Sequence, residues 1–210
     1  MVAAGALSSQ AQNVFSQNVV GYVQQVFTNG IFYMVSNPLD DGTNRVADVL
    51  PAAKNGTSVQ LFDSVGGGYI GANFGFAGWS TNIAIPPGVG FFLKFGGAAG
   101  TLTTNTFLGN VVVAIGNTGT NTLVPGFGLY GNLIPYADSV TNTTTVNLGP
   151  FVQNGDSVQK WDVVNQTFIG YNFGFSGWAG GVVPTLGVGE GFFYNNNHAA
   201  KPWTQTLPAQ

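Results

Sequence analysis

The sequence predicts an all-β fold of two tandem modules, each a β-sandwich or barrel-like unit, and three observations carry that expectation. β-branched and aromatic runs bounded by Gly, Asn and Pro recur along the whole chain, at roughly the 8- to 12-residue spacing of sandwiches and barrels. Helical patterning is confined to one short segment. A block of 25 positions is written twice, 99 residues apart, with 15 identities and no gap: "NGTSVQLFDSVGGGYIGANFGFAGW" (55–79) and "NGDSVQKWDVVNQTFIGYNFGFSGW" (154–178).

Taken in order, residues 1–14 read as an N-terminal tail or signal-peptide remnant. The small apolar run from Val2 to Leu7 precedes Ser9-Gln10-Ala11, a small-x-small pattern of the kind that ends an export signal. Module 1 is placed at residues 15–106. Its strands are "NVVGYVQQVF" (18–27), "IFYMV" (31–35), "TSVQLFD" (57–63), "VGFFLKF" (89–95) and "TLTTNTF" (101–107). Between them "NRVADVL" (44–50), stopped by Pro51, reads as one or two helical turns. Module 2 is placed at residues 107–210, because "FSQNVV" (15–20) recurs as "FLGNVV" (107–112) and "PGVGFF" (87–92) as "VGEGFF" (188–193). Strand alternation puts Phe62 and Trp161 on the face opposite Val59 and Val158, and the aromatic face is the one expected to be buried.

Composition narrows the function. Only 6 % of residues are charged, against about 25 % in an ordinary soluble domain, while 44 % are hydrophobic and 13 % aromatic. That is ample material for a core. Five basic residues, Arg45, Lys54, Lys94, Lys160 and Lys201, cannot form a patch able to hold a phosphate backbone, so nucleic acid is not a partner. No apolar run reaches the ~20 residues of a membrane span. The absence of cysteine removes disulfides and thiolate chemistry. A surface so poor in charge lacks the repulsion that keeps molecules apart, which favours association.

Catalytic groups are sparse. His198 lies in the polar stretch "NNNHAAK" and reads as a loop residue. Asp63 and Asp162 each follow an aromatic strand, where an Asp accepts backbone N–H bonds in a turn. Asp40, Asp41 and Asn44, around Gly42, offer oxygen ligands without the twelve-residue calcium-loop spacing, and a plain turn explains them. The N-x-T sites at Asn55, Asn142 and Asn165 mark loops that are exposed if the chain is exported. No catalytic, metal or cofactor residue is assigned, and the chain is read as a non-enzyme.

The repeated "NFGFxGW" sets Phe74, Phe76 and Trp79 against Phe173, Phe175 and Trp178. Such residues form either a packing corner, with Phe74 and Phe76 inward and Gly75 allowing close approach, or an aromatic platform for a ligand such as a glycan. The ends of the modules suggest more. Aligned on "GFF", the second copy stops where the first continues into "NVVVAI" (110–115), one strand short. Its last strand, Trp203, Thr204, Gln205, Thr206 and Leu207, is then an acceptor edge. Asn18, Val19, Val20, Gly21, Tyr22 and Val23 of another copy are the strand that completes it. Repeated head to tail, that contact gives a filament.

"QNVVGYV" (17–23), "SNPLDDGTN" (36–44), "NGTSVQLFD" (55–63) and "PGVGFF" (87–92) resemble repeats in uncharacterised secreted proteins of Verrucomicrobia-type bacteria. The resemblance covers most of the chain, and the second copy departs from it at "GNLIPYADSV" (131–140). It implies export and β-rich repeats; the family has no assigned activity, so no catalytic residue is carried over. The expected function is therefore an exported structural protein that assembles with copies of itself into an extracellular filament or surface sheath. The alternative is a carbohydrate- or surface-binding module acting as a monomer or small oligomer.

Overall fold

The structure, a computed structural model, describes residues 20–208 and is nearly all β. In the first half β1 (Val20–Thr28) and β2 (Tyr33–Ser36) are followed by the single helical turn α1 (Val46–Val49), then β3 (Ser58–Asp63), β4 (Gly68–Gly75), β5 (Gly78–Trp79), β6 (Gly90–Lys94) and β7 (Leu102–Asn110). The second half contains β8 (Thr118–Leu123), β9 (Gly126–Gly131), β10 (Asp138–Ser139), β11 (Ser157–Asp162), β12 (Thr167–Gly174), β13 (Gly177–Trp178), β14 (Thr185–Leu186), β15 (Gly191–Asn196) and β16 (Lys201–Thr206). α1 falls inside the predicted helical segment; it stops before Pro51, and Val46 and Val49, one turn apart, point into the core.

The halves share one plan. Each has a five-stranded antiparallel sheet, ordered β2-β6-β3-β4-β5 in the first and β9-β15-β11-β12-β13 in the second. Each also has a two-stranded ribbon, β1–β7 or β8–β16, laid over one sheet face. Phe27 and Phe107 of the first ribbon close a core with Val59, Ala72, Phe91 and Leu93. Leu123 and Trp203 of the second close one with Val158, Phe192 and Tyr194.

The remaining sheet faces meet each other. Phe62 packs edge-on against Phe193 at 5.0 Å, and Trp161 against Phe92 at 5.3 Å, both at an interplanar angle of 85°. Backbone contacts come in matching pairs too. Val35 bridges Glu190 and Val89 bridges Tyr130, while the Ser36 N–H donates to Gly189 O (2.9 Å) and the Gly131 N–H to Gly88 O (3.1 Å). The contact is self-complementary in the way of a two-fold interface between subunits, here within one chain.

Three expectations are corrected. The boundary expected between residues 106 and 107 falls inside β7, which pairs along its whole length with β1, from Thr28 with Leu102 to Val20 with Asn110. The repeated "NVV" obscured this, because residues 107–110 close the first ribbon. Second, the aromatic face of β3 and β11 is not the more buried one: Val59 and Val158 are inaccessible, whereas Phe62 and Trp161 are partly covered. Both faces have a partner, ribbon on one side and sister sheet on the other. Third, the second module is not a strand short, since β8 stands beside β16 as β1 stands beside β7.

Candidate functional site

The expected donor strand is occupied at home. Gly21, Tyr22 and Val23 pair with Gly109, Leu108 and Phe107, and Val20 with Asn110; Asn18 and Val19 lie outside the described residues. The expected acceptor is not an open edge either. Trp203 and Gln205 are fully buried, and Leu207 is buried beside Ile134 and Val113. Trp203 Nε1 donates to Val146 O at 2.7 Å, and Gln205 is saturated: its Nε2 donates to Asn132 Oδ1 and Thr145 O, and its Oε1 accepts the Leu133 N–H. Along the outer edge the Thr206 N–H donates to Thr144 O, and Asn147 Nδ2 to Thr204 O. Thr204 and Thr206 alone face outward. Sequence counting missed this because β8, "TGTNTL", has no aromatic residue to betray a strand.

The ribbons differ in what they show to solvent. β1–β7 exposes Tyr22, Val26, Leu102 and Leu108 on one face, with Tyr22 directly opposite Leu108; Gln24, paired with Thr106, and Thr104, paired with Val26, share that face. The matching face of β8–β16 carries Thr118, Thr120, Thr122, Pro202, Thr204 and Thr206, and Thr118 and Thr206 share a hydrogen bond at 2.9 Å. Among the described residues β1 has no strand partner besides β7.

"NFGFxGW" forms a tight hairpin in both halves. Gly75 pairs with Gly78 and Gly174 with Gly177, and Gly78 and Gly177 both take φ +92°, the left-handed conformation that closes a short turn. Phe74 stacks edge-on with Trp79 at 5.4 Å and Phe173 with Trp178 at 5.2 Å, as packing corners do. Phe76 is the exception to the expectation. It is 100 % exposed and its counterpart Phe175 96 % exposed, because the chain reverses at residue 76 and strand alternation ends there. The six aromatics therefore form no continuous platform; four pair off and two protrude.

A cleft of about 220 Å³ opens where the two sheets diverge, lined by Phe32, Gln60, Tyr69, Phe92, Trp161 and Phe168. It was legible only as the repeated "SVQ" and "GFF" strands, whose side chains the structure brings together from both halves. Phe92 is its floor, with Phe32, Tyr69, Trp161 and Phe168 edge-on around it at 5.3–6.4 Å. Phe32 is held in place from the other half: Trp161 Nε1 donates to its carbonyl at 2.9 Å, and the Gln166 amide both accepts from its N–H and donates to its carbonyl at 3.1 Å. Lys94 Nζ lies 4.8 Å from the Phe32 ring centre, a cation–π contact. Burial in this setting raises the Tyr69 hydroxyl above its usual range, so it is neutral at physiological pH.

The buried and turn carboxylates are committed elsewhere. Asp156 is fully buried: one oxygen accepts from Lys201 Nζ (2.6 Å), Tyr194 Oη (2.6 Å) and the Gln153 N–H, the other from the Asn197 N–H, with His198 Nε2 at 3.8 Å. Burial would raise the Asp156 carboxyl, but the bonds from Lys201, Tyr194 and the backbone outweigh it and hold it below the usual carboxylate range. Burial, then the adjacent carboxylate, pushes the Tyr194 phenol upward. Asp63 is lowered by the Gly66 and Val65 N–H groups, and Asp162 by the Asn165 side chain and backbone, so both cap turns. Asp40 takes the Gly42 N–H and Asn44 Nδ2, and Asp41 the Thr43 N–H, so this cluster is a self-satisfied turn. No family model, curated protein or solved structure matches this chain.

Proposed function

We propose that the protein is an exported structural protein that associates with copies of itself into an extracellular filament or surface sheath. The observation that carries this reading is the β1–β7 ribbon: an edge strand with no second partner among the described residues, whose solvent-facing side shows two apolar patches, Tyr22 with Leu108 and Val26 with Leu102, separated by the uncharged pair Gln24–Thr106. Natural edge strands are usually blunted by charge, proline or a bulge; none of these four positions carries a charge. The mode of contact differs from terminal strand donation. Donation would require β1 to leave β7, whereas edge-to-edge or face-to-face contact of intact ribbons leaves every native pair in place.

Analytical ultracentrifugation and negative-stain electron microscopy of the full chain test the reading. Regular assemblies are expected, lost in the double variant Tyr22→Lys/Val26→Lys, whose stability should stay within about 0.5 kcal/mol because both sites are exposed. A monomer at every concentration refutes self-association. A second reading, small-ligand or carbohydrate binding, draws on the aromatic cleft. Its lining of five rings with one amide and one phenol offers few hydrogen bonds to a sugar and suits an apolar occupant better.

A further inference from the structure

We infer that the occupant of the cleft is a hairpin-tip phenylalanine, Phe76 or Phe175, of a second copy; the inference rests on the self-association reading and gives it a direction. The cleft continues the intramolecular aromatic interface. Phe92 already receives Phe32, Tyr69, Trp161 and Phe168 edge-on, and the open space above it has the size and walls to take one more ring in the same geometry. The same chain carries two phenylalanines that its own fold leaves in solvent, each on a short hairpin fixed by a left-handed glycine and by an edge-on Phe–Trp pair behind it. Such a knob loses little conformational freedom on docking. No acid or base occurs between Asn73 and Trp79 or between Asn172 and Trp178, and the six lining residues of the cleft include none; the one neighbouring charge the cleft walls touch, Lys94, already sits on the Phe32 ring at 4.8 Å.

Knob and cleft are different surfaces. One copy therefore docks its tip into the next while its own cleft stays free, a heterologous contact that propagates in a line unless the rotation closes a ring. One ring in one cleft covers far less than the ~1,200 Å² of a stable specific interface. The contact alone is weak, and it sets the order of copies while the apolar ribbon adds area.

The experiment uses three forms of the full chain: wild type, the knobless Phe76→Ser/Phe175→Ser, and the blocked-cleft Gln60→Trp. Circular dichroism and thermal melting confirm that each is folded. Gln60 is only half-buried, and positions 76 and 175 are in solvent. Each variant alone should raise the concentration for assembly by at least about tenfold, while an equimolar mixture forms knob-in-cleft complexes of two or three chains that grow no further through this contact, since one variant supplies a single cleft and the other both knobs. N-acetyl-phenylalanine amide should perturb Trp161 fluorescence in the knobless form and not in Gln60→Trp. If both variants assemble like wild type while Tyr22→Lys/Val26→Lys does not, the knob contact is wrong and self-association stands. If wild type never assembles, the underlying reading fails as well. Trp161 responding to a β-glucan oligosaccharide but not to the phenylalanine amide makes the cleft a sugar site and overturns the inference.

Discussion

The two halves repeat a scaffold and stabilise it by different chemistry at the same point. In the first half the Thr57 hydroxyl accepts the Lys54 N–H and the Gly96 N–H, both at 3.0 Å, and so ties the turn before β3 to the end of β6. In the second, Asp156 stands at the matching place of the repeated block and does the same for Gln153 and Asn197 with its two oxygens. A carboxylate buried there needs a counter-charge, which Lys201 of β16 supplies. At this Thr/Asp difference the first half carries a neutral turn cap and the second, with Lys201 and Tyr194, a buried charged cluster that fastens the closing strand. The repeat fixes where backbone groups must be satisfied; it leaves open which atoms satisfy them.

Breaking this contrast gives the largest expected effect. Asp156→Ala leaves Lys201 buried without its partner and should cost about 3–5 kcal/mol in denaturant unfolding, whereas Thr57→Ala should cost about 1 kcal/mol. The pair Asp156→Thr/Lys201→Leu, which writes the first half's solution into the second, should recover most of the loss; no recovery would show that the halves are not interchangeable here. The pH dependence has the same origin. The folded Asp156 carboxyl is depressed, so its contribution is complete above the unfolded value of about 3.9 and is lost as pH falls through the lower folded value. Asp63 and Asp162 are depressed in both halves and do not separate them. Amide exchange in β15 and β16 should therefore accelerate below pH ~4 before that in β6 and β7.

A smaller effect tests the symmetry instead of the difference. A Cβ at Gly90 would lie 2.6 Å from Tyr130 O, and one at Gly191 2.6 Å from Val35 O. Gly90→Ala and Gly191→Ala should each separate the sheets and cost about 1–3 kcal/mol, to similar extents. Unequal costs in unfolding experiments would mean that one side of the interface yields more readily.

The smallest effect lies in the hairpin between β11 and β12. Gln166 takes φ +52°, where its counterpart in the repeat, Gly67, has φ +70°, and it uses its amide to grip Phe32. Gln166→Gly relaxes the backbone but frees Phe32. The net change should be within about 1 kcal/mol, read out as a shift in Trp161 fluorescence as the cleft loosens.

Much of this architecture could be read from residues. Val59, Phe62 and their counterparts announced strands by alternation, Pro51 ended the helix, and Asp63 and Asp162 announced turn caps. What escaped was set by distance or by a change of rule. Asp156 and Lys201 are 45 positions apart, and only the departure of "NGD" from "NGT" hinted that a cation was needed. Alternation puts Phe76 inward only if it runs on through residue 76, where the chain turns back. The cleft needed Phe32 and Trp161 from different halves, and no periodicity along one strand reports what the opposite sheet brings.

The two ribbons also differ in how water leaves them. Threonine hydroxyls at 118, 120, 122, 204 and 206 hold their solvent, so β8–β16 behaves as a wettable strip, while on β1–β7 Tyr22 with Leu108 and Val26 with Leu102 make two patches that water leaves readily on either side of Gln24 and Thr106. Against an apolar surface the first ribbon would therefore shed its water at less cost than the second.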